Sequence, residues 1–489
     1  MKHLLVLDAG TTSTRAMLFA RDGSCSATHA ADIPQHYPRP GWVEQDADDL
    51  WQLTERVARA AIADAGGAER IAAIGIANQR ETICFWSRRT GRPLAPAIVW
   101  QDRRTAAICR DLREAGEESG VQARTGLLLD PYFSGTKIGW ALEHWPQLRA
   151  AGDDLAIGTV ESWLVWKLTG GAHVTDAANA SRTLLMGLGS GQWDDGLVEL
   201  FGAPRAALPT IVDNAGELAE TTLFGGRIAI TGLAGDQQAA TIGQGCLSRG
   251  EAKATFGTGA FVLANAGSAP PTSRHRLLGT VLTQIGGRRS YAIEGSIFVA
   301  GSLIQWLRDG LGLIARADES EALARSVDDN AGVYLVPALA GIGAPWWEPG
   351  ARAAITGLSF ASGRAHIVRA ALEAMAHQCH DLKTAFAADG ADWARLRIDG
   401  GMVANDWMAQ DLADMLAIAV DRPHFTETTA LGAAMLAGLG CGWFATLDDA
   451  VAAMRGPVES FTPAADPAHR AARLAGWQRA VEGVLASAR

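Results

Sequence analysis

Residues 4–19 read Leu-Leu-Val-Leu-Asp-Ala-Gly-Thr-Thr-Ser-Thr-Arg-Ala-Met-Leu-Phe: an apolar run ending in a carboxylate, a glycine-led hydroxyl cluster, and a second apolar run. The pattern predicts two strands joined by a tight polar turn. Gly10 lets the backbone approach a ligand, and the turn amides, with the hydroxyls of Thr11, Thr12, Ser13 and Thr14, can meet anionic oxygens such as those of a phosphate. Arg15 adds a positive charge. Asp8, at the end of a buried strand, is costly unless a cation faces it, and Mg²⁺ carried in by a nucleotide would do so. The same residues could equally form a plain surface hairpin whose Asp and Thr side chains satisfy their own backbone.

The pattern returns at 253–264, Lys-Ala-Thr-Phe-Gly-Thr-Gly-Ala-Phe-Val-Leu-Ala, with Gly257 lying 247 residues after Gly10. That offset is about half the chain. It predicts a weak internal duplication of one α/β unit, joined near 243–250, with domains at 1–244 and 245–489. A third signal is Asp236, which follows an apolar strand and opens a helix within Thr-Gly-Leu-Ala-Gly-Asp-Gln-Gln-Ala-Ala, residues 231–240. Its carboxylate could accept a proton from a substrate hydroxyl during phosphoryl transfer, or it could be a helix N-cap. The chain has no G-x-x-x-x-G-K-[ST], no complete G-x-G-x-x-G after a strand, no H-E-x-x-H and no G-x-S-x-G. Phosphate chemistry therefore falls to the hairpin turns. His377 and His380, three apart on a helix, read as structural.

The elements that must position these groups follow the same alternation. A third strand is expected at 25–31, then a helix over 47–64 with Asp46 as N-cap and Asp48 and Asp49 in its first turn. Strands at 71–77, 83–86 and 97–100 border the polar runs Asn78-Gln79-Arg80-Glu81-Thr82 and Gln101-Asp102-Arg103-Arg104-Thr105. A loop at 130–137 opens a helix, and a helix over 161–169 ends at Gly170, its Trp163 and Trp166 reading as core. The second half continues with strands at 277–285 and 291–293 and helices over 301–309 and 364–388. A strand at 396–398 then runs into Gly400-Gly401, a turn with room for a flat ligand such as a nucleoside. The first three strands should be antiparallel, in a mixed α/β domain.

Bulk properties set the limits. At 489 residues the chain exceeds one comfortable core, and a net charge of −10 without a basic block argues against a nucleic-acid partner. Residues 428–447 carry no charge, but their apolar content is largely alanine, which predicts a buried helix followed by a loop and no membrane span. The six scattered cysteines show neither metal-ligand spacing nor a secreted-type framework, so a reduced, cytoplasmic protein is expected.

Seven motifs in order carry a family resemblance that runs from 3 to 480: residues 8–15, 78–82, 100–105, 130–137, 235–238, 257–259 and 399–405. Together they resemble the FGGY family of carbohydrate kinases, in its branch that acts on glycerol, whose nucleotide-binding fold is shared with hexokinase, actin and the heat-shock ATPases. The resemblance implies an α/β fold of two actin-like (ribonuclease H-like) ATPase domains with an interdomain cleft, the polyol on the first domain and ATP mainly on the second. It implies ATP-dependent phosphorylation of glycerol to glycerol 3-phosphate, with Mg-ATP between the two phosphate hairpins. Carried over by motif, Arg80, Glu81, Tyr132, Asp236 and Gln237 hydrogen-bond the three hydroxyls, Trp100 and Phe261 pack on the carbon edge, and Asp236 is the general base. Thr11, Thr12, Ser13, Arg15 and Thr258 meet the phosphates, Gly301, Gln305, Gly401 and Asn405 line the rest of the nucleotide, and Asp8 and Asp236 hold Mg²⁺ through water. The family also implies a homodimer or homotetramer.

Such a pocket suits glycerol, which has almost no apolar bulk and must be selected hydroxyl by hydroxyl. Two departures are visible: Ala9 stands where many relatives have Gln, and Trp346-Trp347 where they have Tyr-Trp. No regulatory motif is matched. A kinase for a larger polyol or ketose would need a differently lined pocket. In a nucleotide-gated assembly protein of the actin kind, the acceptor-side motifs would have no purpose.

Overall fold

The opening apolar runs form the antiparallel strands His3–Ala9 and Ser13–Phe19, to which Cys25–Asp32 adds a third, in a computed structural model that describes residues 2–488. Ile71–Asn78 joins parallel to the first strand, Ile228–Gly235 parallel to Ile71–Asn78, and Ala215–Thr221 closes that edge antiparallel. The register places Ala9 beside Asn78 and Asn78 beside Gly235. Three neighbouring parallel strands thus end at one level, releasing the 10–13 turn, the 79–82 segment and Asp236 along a single edge, where ligands collect in such sheets.

The helix Ala47–Ala65, capped by the Asp46 carboxylate on the amides of Asp48 and Asp49, covers one face of this sheet. Thr428–Gly440, from the far end of the chain, covers the other. It lies so close to the helix Asp236–Gly243 that a Cβ on Gly432 would sit 1.8 Å from the Ala239 carbonyl oxygen, and one on Gly243 2.0 Å from that of Thr428. No side chain fits at either position, so backbone-to-backbone packing holds the helix that begins with Asp236. The charge-free segment is therefore the buried helix expected of it, and among the described residues no helix is long and apolar enough to cross a membrane.

The second sheet repeats the scheme. Ala252–Phe256 and Ala260–Gly267 form the antiparallel hairpin, and Arg395–Asp399 runs parallel to its first strand, with Thr255 beside Asp399. Strands Arg288–Ile297 and Leu278–Ile285 extend one edge, Ala419–Pro423 and Val458–Phe461 the other. The helix Arg364–Ala388 packs beneath through Val368, Leu372, Met375, Leu382 and Phe386. A four-stranded sheet of Glu44–Gln45, Pro93–Ile98, Ile83–Ser87 and Leu155–Thr159 builds a separate core that also takes in Leu278, Val281 and Tyr291. The strand expected at 97–100 runs over Pro93–Ile98 instead. The chain bends after it, the Asp102 amide donating to the Val99 carbonyl and the Trp100 amide to Thr82 Oγ1, which stands Trp100 outside the sheet.

Candidate active site

Beyond Asn78 the chain makes a forced bend. The Thr82 amide donates to the Arg80 carbonyl at 2.7 Å, across Glu81, whose φ is +61°. A turn this tight is strained for a residue with a side chain. It sets Arg80 and Glu81 into one buried cluster, while Asn78 secures the bend from behind by donating to Glu161 and Asn179.

Around Arg80 the expected acceptor residues converge. Its Nη2 donates to Tyr132 Oη at 3.2 Å, and its Nε lies 3.4 Å from Asp236 Oδ1 and 3.7 Å from Glu81 Oε1. Trp100 packs edge-on to Tyr132 and Phe261, at 5.5 and 6.3 Å between ring centres. Asp236 is the first helical residue, one past the N-cap Gly235, and its Oδ1 accepts from the Gln237 amide at 2.7 Å. Its side chain remains 31 % exposed, within reach of a small molecule. Burial raises its pKa, and Arg80 and Lys253 pull it back.

Three members of this cluster escaped the sequence reading. Lys253, fully buried, donates to Gln237 Oε1 at 2.6 Å and to Thr255 Oγ1 at 2.8 Å. Glu294 accepts from Arg80 and Arg182, and Arg182 in turn donates to Glu81. Burial would raise the Glu294 carboxyl, yet the two arginines overcome it and hold it at about 2. The one sequence signal was a charge inside an apolar strand, as in Lys253 of 252–256 and Glu294 of 288–297.

At the first hairpin, the turn at 10–13 is closed by the Gly10 amide on the Ser13 carbonyl, and the Trp100 indole donates to Thr11 Oγ1 at 2.9 Å. Thr12 is exposed and Ser13 half-buried. Arg15 is not free: it pairs with Glu427 at 2.5 Å. The Asp8 carboxyl is raised to about 7, chiefly by burial and further by Asp236 and Glu427, against which Arg15 is the one cation that lowers it. Among the described residues no three His, Cys, Asp or Glu side chains are grouped as a metal site, so the chain's own share in holding a hard divalent ion arriving with a nucleotide would be the two carboxylates Asp8 and Asp236.

This shift carries a stability consequence with a definite sign. Between the ordinary carboxylate range and pH 7 the folded chain holds a proton at Asp8 that the unfolded chain has lost, so this group makes stability fall as pH rises through that window. Asp8→Asn is expected to raise the melting temperature of the ligand-free protein at pH 8 by about 2 °C, with a smaller gain at pH 5. A lower melting temperature at pH 8 would show that the ionised carboxylate is already compensated.

Across the second hairpin, a cavity of about 470 Å³ is lined by Gly301, Gln305, Gly401 and Asn405, the four residues expected around the rest of the nucleotide, and by Thr258, expected at the phosphates. The Gly301 amide donates to the Gly257 carbonyl at 2.9 Å, and a Cβ on Gly301 would stand 2.5 Å from that oxygen, so the helix Gly301–Asp309 seats directly on the turn. A larger open groove of about 840 Å³, past Trp140 and Phe201, contains none of the expected site residues.

Two sheet-based units, each with a glycine–threonine hairpin turn, a buried polar cluster beside the first and a cavity beside the second, define a two-domain α/β protein of the kind that gathers ligands at its strand ends. Residues 3–243 match the N-terminal domain, and 252–441 the C-terminal domain, of the FGGY family of carbohydrate kinases. Glycerol kinase of Methylobacterium nodulans is 53% identical over 492 residues, covering 99% of this chain and 98% of that protein. Glycerol kinase of Rhodospirillum rubrum is 52% identical, covering 100% of both. The crystal structure of Plasmodium falciparum glycerol kinase with ADP superposes with a TM-score of 0.93 at 33% identity, over 99% of this chain and 98% of that one. The chain belongs to the FGGY family of carbohydrate kinases.

Proposed function

We propose that the enzyme transfers the γ-phosphoryl group of Mg-ATP to a terminal hydroxyl of glycerol, giving ADP and glycerol 3-phosphate. The observation that carries this reading is the hydrogen bond from Trp100 to Thr11, at 2.9 Å, which joins the polar pocket to the phosphate turn. An acceptor held against Trp100, Arg80 and Asp236 therefore lies beside a phosphate on the 10–13 amides, the proximity on which phosphoryl transfer mainly depends.

In this reading Arg80, Glu81, Tyr132, Asp236 and Gln237 pair the three hydroxyls, while Trp100 and Phe261 border the carbon edge. Asp236 orients the attacking hydroxyl and accepts its proton. Thr11, Thr12, Ser13 and Arg15 face Thr258 across the phosphates, and Gly301, Gln305, Gly401 and Asn405 receive the nucleoside. Asp8 and Asp236 would hold Mg²⁺, which supplies neutralisation of phosphate charge. The first domain, 1–244, would then carry the acceptor and the second, 245–489, most of the nucleotide.

The test is ADP release from Mg-ATP with glycerol, dihydroxyacetone, erythritol, xylulose or gluconate, each against a blank without acceptor. Glycerol is expected to exceed the larger sugars in kcat/KM by at least ~10²-fold. A larger sugar winning would displace the acceptor assignment and spare the nucleotide side; turnover confined to the blank would favour a nucleotide-driven switch.

A further inference from the structure

Glu294 sits in the strand Arg288–Ile297 with no exposed surface, sealed behind Arg80. Its Oε2 accepts from Arg80 Nη1 at 2.5 Å and its Oε1 from Arg80 Nη2 at 3.2 Å, so the two-pronged end of that guanidinium is fully engaged. The same Oε1 accepts from Arg182 Nη2 at 2.9 Å, and Arg182 Nε donates to Glu81 Oε1 at 2.7 Å. Toward Asp236, Arg80 presents only its Nε edge, at 3.4 Å. A guanidinium whose fork is vacant turns to the nearest carboxylate and pairs with it through two hydrogen bonds. Were Glu294 neutral, the carboxylates left beside Arg80 would be Glu81, already taken by Arg182, and Asp236.

We infer that Glu294 is the positioning residue of the acceptor pocket: it holds the fork of Arg80 away from Asp236 and, through Arg182, fixes Glu81. The substrate-facing edges of Arg80 and Glu81 then keep one orientation, and the Asp236 carboxylate stays open to a hydroxyl. This rests on the reading of Arg80, Glu81 and Asp236 as the acceptor pocket. It adds a specificity element contributed by the second half of the chain, 214 residues from Arg80.

Glu294→Gln in the full-length enzyme keeps the shape and removes the charge. Glycerol KM is expected to rise ~10–100-fold and kcat to fall ~10-fold, with the ATP KM changed by less than about twofold. The preference for glycerol over propane-1,2-diol, which lacks one hydroxyl, should shrink at least ~10-fold, because loosened donors no longer penalise a missing partner. A general packing defect would not move that ratio. Glu294→Asp keeps the charge at shorter reach and should restore part of the preference. A folded Gln variant with wild-type glycerol KM and wild-type preference overturns the inference. If the Gln variant fails to fold, the Asp variant decides: a glycerol KM raised at least ~3-fold at constant ATP KM supports the role, and wild-type values overturn it. Should the wild-type enzyme favour another acceptor, the pocket reading falls, and the same comparison with the favoured acceptor still decides Glu294.

Discussion

Asp236→Asn is expected to lower kcat by ~10²–10⁴ while glycerol KM changes by less than about threefold. Asparagine is nearly isosteric, and its Oδ1 can keep the 2.7 Å hydrogen bond from the Gln237 amide, so the start of the helix Asp236–Gly243 is preserved. The helix is in any case fixed by its contact with Thr428–Gly440, where Gly432 leaves no room for movement. What the amide cannot do is accept the hydroxyl proton. It also withdraws one carboxylate from Arg80, whose fork remains on Glu294, so the binding geometry persists. Steady-state kinetics with a melting curve on the same sample checks the claim. Turnover within about tenfold of wild type in a folded variant would remove Asp236 as the base.

Much of this arrangement was legible because buried strands must stop somewhere, and chemistry collects where they stop. The polar turn after Asp8 and the break before Asp236 both mark strand ends, and the register of Ala9, Asn78 and Gly235 explains why motifs far apart in sequence share one edge. Helix 364–388 was equally readable, since a helix of 25 residues repeats its apolar spacing often enough to define its ends. The strand Arg288–Ile297 was read only at 291–293, because Glu294, Gly295 and Ser296 interrupt the apolar run. Pairing with Ala260–Gly267 and Leu278–Ile285 carries it through. Glu294, Arg182 and Lys253 were illegible as site residues. A buried charge has meaning only beside its partner, and these partners lie in other elements, up to 214 residues away.

Removing the hub of that network should show how its charges depend on one another. Around Arg80, three cations, Arg80, Arg182 and Lys253, face three carboxylates, Glu81, Glu294 and Asp236. Arg80→Ala leaves the carboxylates in excess within a buried cluster, which is expected to cost ~3–5 kcal/mol of stability. Glycerol KM should rise at least ~10²-fold, since Arg80 contacts Tyr132 and borders both Asp236 and Glu81. The ATP KM should stay within about threefold, because the cavity around Gly301 and Asn405 contains no part of the cluster. Burial already raises the Glu81 and Asp236 carboxyls, and losing Arg80 removes a group that lowers both. A carboxylate so raised is destabilising while ionised and is relieved as pH falls through its folded pKa. The gap in melting temperature between wild type and Arg80→Ala should therefore be wider at pH 8 than at pH 5.5. Equal losses for glycerol and ATP would mean that Arg80 supports the whole active region, and a gap independent of pH would mean that the lost stability is packing and not charge.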